Sequence, residues 1–184
     1  MVDELAELPL EFSPGDQWNY SVSTDVCGYL VEHFSGMKLD QYFQKNIFDP
    51  LSMGDTGFSC AKDKVERLAS LYEHHPKKGP VLVDPGGSKT KRVKKRKMLS
   101  GGGGLLSTMA DYYRFCSMLL NQGELDGNRI IGRKSLTMMA SNHLPDGKDL
   151  TEMSQSAFSE TTYQGVGFGL GFSVILDPVK TQSL

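Results

Sequence analysis

Residues 14–34 read Pro-Gly-Asp-Gln-Trp-Asn-Tyr-Ser-Val-Ser-Thr-Asp-Val-Cys-Gly-Tyr-Leu-Val-Glu-His-Phe, a turn that leads into an amphipathic helix. The Pro14-Gly15 pair interrupts regular structure. Three hydroxyl residues that can cap the free N–H groups of a helix start follow it: Ser21, Ser23 and Thr24. Apolar residues then recur at the spacing of one buried helical face: Val26, Leu30, Val31 and Phe34. We predict a helix here that ends at Gly36, a residue typical of helix C-termini.

Tyr20 lies at the N-terminus of this predicted helix, beside Trp18, the single tryptophan of the chain. The positive end of a helix dipole and its free N–H groups favour a tyrosinate or a bound anion. Tyr20 is therefore a candidate for chemistry. A purely structural interpretation, in which Trp18 and Tyr20 fill the base of the helix, stays open.

The composition fits one ordinary globular domain or one lobe of a larger protein, with 184 residues, 39% hydrophobic and 23% charged. The net charge of −2 indicates no general attraction to nucleic acid or to a membrane surface. No stretch approaches the roughly 20 apolar residues of a spanning helix. We therefore expect neither nucleic acid nor a membrane as a partner.

The cysteines and histidines show no spacing typical of a disulfide framework or a metal site. Cys27, Cys60 and Cys116 are odd in number and far apart, and the four histidines form no ligand motif. We expect no metal and no organic cofactor. Unpaired cysteines and an N-terminus without a signal-peptide pattern favour a cytoplasmic location, although the compartment of a longer parent protein stays open.

The remaining periodicity predicts three more helices and one strand. The helices cover about 39–47, 109–121 and 134–141. The helix over 109–121 begins with an N-cap pattern formed by Thr108 and Asp111, and we expect it to bury an apolar stripe: Tyr112, Phe115, Cys116, Leu119 and Leu120. Residues 65–72 fit either a helix or a buried strand, and residues 74–100 are predicted to be a loop. Residues 166–176 alternate as a strand does. Because a strand needs partners, we expect it to pair with a missing part of the fold or with another chain.

Four consecutive glycines, Gly101–Gly104, precede the helix over 109–121. A phosphate-binding loop would continue with Gly-Lys-Ser/Thr, whereas Leu105 and Leu106 follow here. The glycines therefore indicate close backbone packing, with the lining of a ligand cleft as the alternative.

A basic run, residues 89–97, holds seven lysines and arginines in nine positions. It could contact nucleic acid or an acidic partner. Because it lies in the longest loop and has no aromatic residues to stack on bases, a solvated loop is the favoured interpretation.

The Ser-x-x-Lys pattern of penicillin-binding proteins and β-lactamases occurs three times: Ser35–Lys38, Ser59–Lys62 and Ser88–Lys91. The chemistry needs both side chains on one face of a buried helix start. The first pair lies at a predicted helix end, the second in a turn and the third in the basic loop. We expect none of them to be a nucleophile.

Four segments in order resemble the serine β-lactamase and penicillin-binding-protein-like family, especially class C β-lactamases and family VIII carboxylesterases. Residues 8–21 are similar to the region of that family's catalytic tyrosine. Residues 47–58, Ile-Phe-Asp-Pro-Leu-Ser-Met-Gly-Asp-Thr-Gly-Phe, are similar to its Pro-Leu-Gly-Met-x-Asp-Thr-x-Phe segment. Residues 100–111 resemble its glycine-rich helix entrance, and residues 165–172 resemble the strand that opens its C-terminal half.

The resemblance implies an α+β fold of the β-lactamase/transpeptidase type. Residues 1–164 would be the helical lobe, with a basic loop at 74–100, and residues 165–184 the first strand of the C-terminal part of the α/β lobe. It implies a serine hydrolase that cleaves a small ester or amide through an acyl-serine without a cofactor. Tyr20 would be the catalytic proton relay, and the residues expected to border the substrate are Trp18, Ser21, Gly102 and Gly103.

Two departures from the family pattern modify this expectation. The family's Tyr-x-Asn is Tyr20-Ser21-Val22 here, which favours an esterase over a true β-lactamase. The Ser-x-x-Lys nucleophile and a Lys-Thr-Gly motif are not found at their expected places, so we expect a fragment that is inactive alone. The alternative is a non-catalytic binding module on the same scaffold, with the basic loop directed at an acidic partner.

Overall fold

The computed structural model describes residues 2–90, 98–154 and 163–181. Most of the basic run, residues 91–97, lies outside these ranges. The α-helices are α1 (Val2–Ala6), α2 (Ser23–Ser35), α3 (Leu39–Phe43), α4 (Met109–Leu120), α5 (Arg133–Met139), α6 (Leu150–Met153) and α7 (Pro178–Thr181). The strands are β1 (Leu71–His75), β2 (Gly79–Asp84), β3 (Glu124–Leu125), β4 (Asn128–Arg129), β5 (Val166–Phe168) and β6 (Ser173–Ile175). A π-helical turn (Gln44–Phe48) continues α3, and short 3-10 helices are Lys62–Arg67, Gly87–Lys89 and Pro145–Gly147.

Helix α2 confirms the predicted helix but corrects its start and its buried face. Its N-cap residue is Val22, and no side chain caps it, so the predicted hydroxyl cap is wrong. The predicted end is confirmed, because Gly36 has a φ of 65° and donates its N–H to the Glu32 carbonyl. The predicted buried face is also wrong. Only Gly28 is buried in α2, and Phe34 is 80% exposed.

Helix α4 begins as predicted. The Thr108 hydroxyl accepts from the Asp111 N–H at 3.2 Å. Of the predicted apolar stripe, Phe115 and Leu119 lie against the core, whereas Tyr112 and Leu120 are exposed. The most buried residue of the helix is Met118, which was not predicted.

The core lies where α4 packs on the π-helical turn and the chain that follows it. Its fully buried members are Phe48, Leu51, Met53 and Met118. Partly buried residues surround them: Phe43, Ile47, Phe115, Leu119, Leu125, Ile130 and Ile131. The Arg114 side chain fixes this contact, because it donates to the Leu51 carbonyl and pairs with Asp126.

Strands β1 and β2 form an antiparallel hairpin that begins in the segment predicted as a helix or a buried strand, residues 65–72, and continues into the predicted loop. The loop prediction for 74–100 is therefore wrong for its first part. The residues of β1 are all exposed, so the strand carries no apolar alternation that a sequence pattern could reveal. The hairpin is closed by the buried Asp84 carboxylate, which accepts from the Gly86 N–H at 2.8 Å and the Thr90 hydroxyl at 2.9 Å.

The strand predicted over 166–176 is two strands, β5 and β6, paired antiparallel. The chain reverses between them, where the Gly169 N–H donates to the Phe172 carbonyl at 2.7 Å. The expectation that this strand pairs with a missing part of the fold or with another chain is therefore wrong for the edge of β5 that faces β6, because β6 of the same chain pairs with it.

The chain exposes 13459 Å² of surface, against about 8,800 Å² expected for a compact monomer of this mass. Helices α2 and α4 contribute to this through apolar side chains in solvent, among them Phe34, Met109, Tyr113 and Leu120. Neither helix, nor any other in the described ranges, combines the length and the apolar character needed to cross a membrane.

Two side chains hold the C-terminal hairpin to the chain before it. The Asn142 carbonyl oxygen accepts from the Phe168 N–H at 3.0 Å, and its amide donates to the Lys148 carbonyl at 2.9 Å. Asp149 caps α6 in a capping box with Glu152 and also accepts from the Gly165 N–H at 2.8 Å. Burial raises the pKa of Asp149, but N–H groups of Gly165, Glu152 and Thr151 donate to it and hold its pKa below the usual value.

We predict that Asp149→Asn lowers the free energy of unfolding at neutral pH by about 1–3 kcal/mol, because an amide nitrogen cannot accept from the Gly165 N–H. The folded pKa of Asp149 lies below the unfolded value of about 3.9, so its carboxylate stabilises the fold above that pH. This stabilisation is lost as the pH falls through the folded pKa. The difference between the two proteins should therefore shrink below about pH 4 in urea denaturation.

Asp146→Asn is the matched control, because the Asp146 side chain is 82% exposed, and it should unfold as the unmodified chain does. A deficit in Asp149→Asn that keeps its full size at low pH would exclude the ionised carboxylate as its cause.

Candidate active site

Tyr20 lies just before α2, on an extended segment tied to the C-terminal part of the chain. The Trp18 N–H donates to the Met153 carbonyl at 3.1 Å. The Trp18 ring meets Phe168 edge-on at 5.3 Å between centroids, and Tyr20 lies 6.4 Å from Trp18. The Tyr20 side chain is 60% exposed, so its phenol is accessible to a small molecule. The aromatic contact joins the first of the four sequence segments to the last.

The glycine-rich segment packs against the first turns of α2. A Cβ atom on Gly101 would lie 2.1 Å from the Thr24 carbonyl oxygen and 2.9 Å from the Gly28 nitrogen. A Cβ on Gly102 would lie 2.8 Å from the Thr24 hydroxyl and 3.0 Å from an Asp25 carboxylate oxygen. Because a side chain at Gly101 would collide with the backbone of α2, this approach of two backbones requires glycine there. At Gly102 the atoms in the way belong to the Thr24 and Asp25 side chains.

The structure thus brings Tyr20, Ser21 and Gly102 to the same end of α2. Ser21 is exposed between Tyr20 and the helix. Gly103 differs from Gly102, because a Cβ atom there would meet nothing within 4 Å. Trp18 lies on the segment before the helix, in contact with Phe168.

Sequence reasoning missed Phe168 and the two residues that hold its strand. Phe168 was assigned to a strand but not to the surroundings of Tyr20. Asn142 lies close to a polar segment whose sequence predicts a loop, and Asp149 lies within that segment. The Asp149-x-x-Glu152 spacing is a capping-box signature and was the one available signal for α6.

No hydrogen bond joins the serine to the lysine in the two Ser-x-x-Lys pairs that lie within the described residues, Ser35–Lys38 and Ser59–Lys62. The Ser35 hydroxyl donates to the Val31 carbonyl at 2.6 Å, and Lys38 pairs with Glu32 at 3.7 Å. Ser59 is exposed in a turn. Lys91 lies outside the described ranges, so the third pair is untested.

Among residues 2–90, 98–154 and 163–181, no group of three or more His, Cys, Asp or Glu side chains could hold a metal ion. The three cysteines are free thiols, with Cys27 exposed and Cys60 and Cys116 half-buried.

We predict that Gly101→Ala lowers the free energy of unfolding by about 1–3 kcal/mol, because the added methyl group overlaps the backbone of α2. Gly103→Ala is the matched control and should be neutral or slightly stabilising, since its methyl group enters open space. Trp18 is the single tryptophan, so its fluorescence during urea denaturation reports on both variants. Equal stability of the two variants would refute the packing of the glycine-rich segment on α2.

Comparison with known proteins places the chain in a family. The family model described as Beta-lactamase matches residues 1–177. Protein Rv1367c of Mycobacterium tuberculosis is 34% identical over 187 residues, which cover 98% of this chain and 43% of that protein. Lovastatin esterase of Penicillium rubens is 34% identical over 129 residues, 68% of this chain and 32% of the esterase.

A solved structure gives the same result for the fold. Unliganded simvastatin synthase (LovD) from Aspergillus terreus matches with a TM-score of 0.74 and 25% sequence identity, over 92% of this chain and 42% of the synthase. The chain thus spans less than half the length of each of these relatives. The resemblance predicted from the four sequence segments is confirmed: the chain belongs to the Beta-lactamase family and has its α+β, transpeptidase-like fold.

Proposed function

We propose that this chain supplies the tyrosine part of the active site of a serine hydrolase that cleaves small-molecule esters through an acyl-serine. The observation that carries the proposal is the position of Tyr20, exposed at the N-terminus of α2 beside the glycine-rich segment, in a member of the Beta-lactamase family. The lovastatin esterase among its relatives supports an ester as the substrate class.

The chemistry assigned to Tyr20 is proton transfer. The serine hydroxyl attacks the ester carbonyl carbon and gives its proton to the Tyr20 oxygen, and the tyrosine then gives that proton to the departing alkoxide. Water hydrolyses the acyl-serine by the same relay in reverse.

We propose that the nucleophilic serine and its lysine lie outside this chain. The observed contacts of Ser35 and Lys38 support this, because each side chain is engaged within or beside its own helix rather than with the other. Val22 after Tyr20-Ser21 favours an ester over a β-lactam, since the amide that would hold a β-lactam side chain is absent there.

The second candidate function is a binding module for an acidic partner. The feature that favours it is the β1–β2 hairpin, whose turn carries Lys77 and Lys78 ahead of the basic run. The coding sequence on either side of this chain discriminates the two candidates, because a Ser-x-x-Lys on a predicted helix supports the hydrolase and its absence supports the module.

We predict that the chain alone hydrolyses a nitrophenyl ester no faster than the buffer does, because an acyl-serine cannot form without its serine. Tyr20→Phe should leave this background unchanged in a spectrophotometric assay. Tyr112→Phe is the matched control, because Tyr20 and Tyr112 are both 60% exposed. Steady hydrolysis that Tyr20→Phe abolishes and Tyr112→Phe preserves would show that the nucleophile lies within this chain.

A further inference from the structure

A cleft of about 670 Å³ lies between the α3 region and residues 54–68, and its lining includes none of the residues placed around Tyr20. Its apolar surface comes from Phe48 and Phe58, both buried, with Leu68 and Leu106. The volume is within the range of small-molecule sites in proteins. Because the lining is separate from the Tyr20 region, the cleft is a candidate site distinct from the one around Tyr20.

The rim of the cleft carries two cations on one carboxylate. Lys64 Nζ lies 2.5 Å from Asp55 Oδ1, and Arg67 Nη1 lies 2.8 Å from Asp55 Oδ2. Hydrogen bonds from Lys64 and Arg67 hold the pKa of Asp55 below its usual value, so the carboxylate stays ionised near neutral pH. The two cations share the Asp55 carboxylate, and the negative charge of Asp63 also acts on Lys64.

Three other acidic side chains near the rim have donors of their own. The Asp111 carboxylate, buried at the N-terminus of α4, accepts from the Asp55 N–H and the Thr56 hydroxyl, each at 2.8 Å. On the wall formed by α3 and the π-helical turn, Asp49 accepts from the Gln44 amide at 2.5 Å, and Asp40 accepts from a backbone N–H at 2.9 Å. Lys45 lies on that same wall.

Arg67 has donors to spare. A guanidinium group has five N–H donors. Within the described part of the chain Arg67 pairs only with Asp55, and its side chain is 58% exposed. A planar guanidinium with free N–H groups beside an apolar surface matches a carboxylate that is attached to an apolar body.

We propose that this cleft binds a small organic carboxylate, with its anionic group on Arg67 and Lys64 and its apolar part over Phe48 and Phe58. The site is independent of the acyl-serine chemistry proposed for Tyr20. It needs none of the residues assigned to that reaction, so the failure of either proposal leaves the other intact.

Cys60 lies in the lining of the cleft and provides a reporter of occupancy. Cys60 and Cys116 are both half-buried, and Cys27 is exposed. Unlike Cys60, Cys27 on α2 and Cys116 on α4 are not part of the cleft lining. A molecule bound in the cleft should therefore shield Cys60 from a thiol-alkylating reagent and leave the other two cysteines unaffected.

The experiment measures the alkylation rate of each cysteine by mass spectrometry with millimolar phenylacetate, 2-phenylethanol or phenethylamine. These probes share an apolar ring and differ in the head group. We expect phenylacetate to slow the alkylation of Cys60 selectively and the alcohol and the amine to have little effect. Equal protection by all three probes would overturn the carboxylate assignment, and no protection by phenylacetate would overturn the site.

Arg67→Met should weaken protection by phenylacetate at least about tenfold, because a charge-assisted contact to the carboxylate is removed. Arg133→Met is the matched control, because Arg133 is exposed at the start of α5 and outside the cleft, and it should retain protection. Unchanged protection in Arg67→Met would contradict the proposal. If Arg67→Met fails to fold, the comparison of the three probes on the unmodified chain still tests the carboxylate site without a variant.

Discussion

The close approach of two backbones, at Gly101 on one side and the first turns of α2 on the other, is the contact on which the described site depends. A Cβ atom at Gly101 would lie 2.1 Å from the Thr24 carbonyl oxygen, and one at Gly28 would lie 3.0 Å from Gly101. Gly101 therefore has no room for a side chain, and a side chain at Gly28 would be tight against Gly101. The contact fixes the start of α2, which begins three residues after Tyr20.

From this contact, backbone pairing, side-chain hydrogen bonds and an aromatic contact connect the other sequence segments. Gly57 and Leu106 exchange two backbone hydrogen bonds, at 3.0 and 2.8 Å, which join the 47–58 segment to the glycine-rich segment. The buried Asp111 carboxylate strengthens the same junction. Trp18 and Phe168 connect the Tyr20 segment to the C-terminal hairpin, which Asn142 and Asp149 hold in place. The four segments that resemble the family are thus connected in space as well as ordered in sequence.

The ends of helices could be predicted from the sequence, but which apolar faces are covered by other elements could not. Gly36 and Thr108 were assigned correctly because helix ends are decided by the groups within a few residues. Phe34 and Tyr112 were expected to be buried, since a periodic pattern identifies an apolar face but not whether another element covers it. The β1–β2 hairpin was missed because its exposed strands need no apolar alternation. Of the site, Tyr20 was identified from its position before a helix, whereas the placement of Phe168 depends on its contact with Trp18, across 150 positions of sequence.

The most direct test of the central claim, that this chain carries the tyrosine of an acyl-serine site but not its nucleophile, is chemical mapping of reactive serines. The chain is treated with a nitrophenyl phosphonate ester, which forms a stable adduct on an activated serine, and its peptides are analysed by mass spectrometry. We predict no adduct on Ser35, Ser59 or Ser88, because the Ser35 hydroxyl donates to a backbone carbonyl, Ser59 is exposed in a turn, and Ser88 lies in a surface segment. A stoichiometric adduct on any one of them, lost in Tyr20→Phe, would contradict the claim.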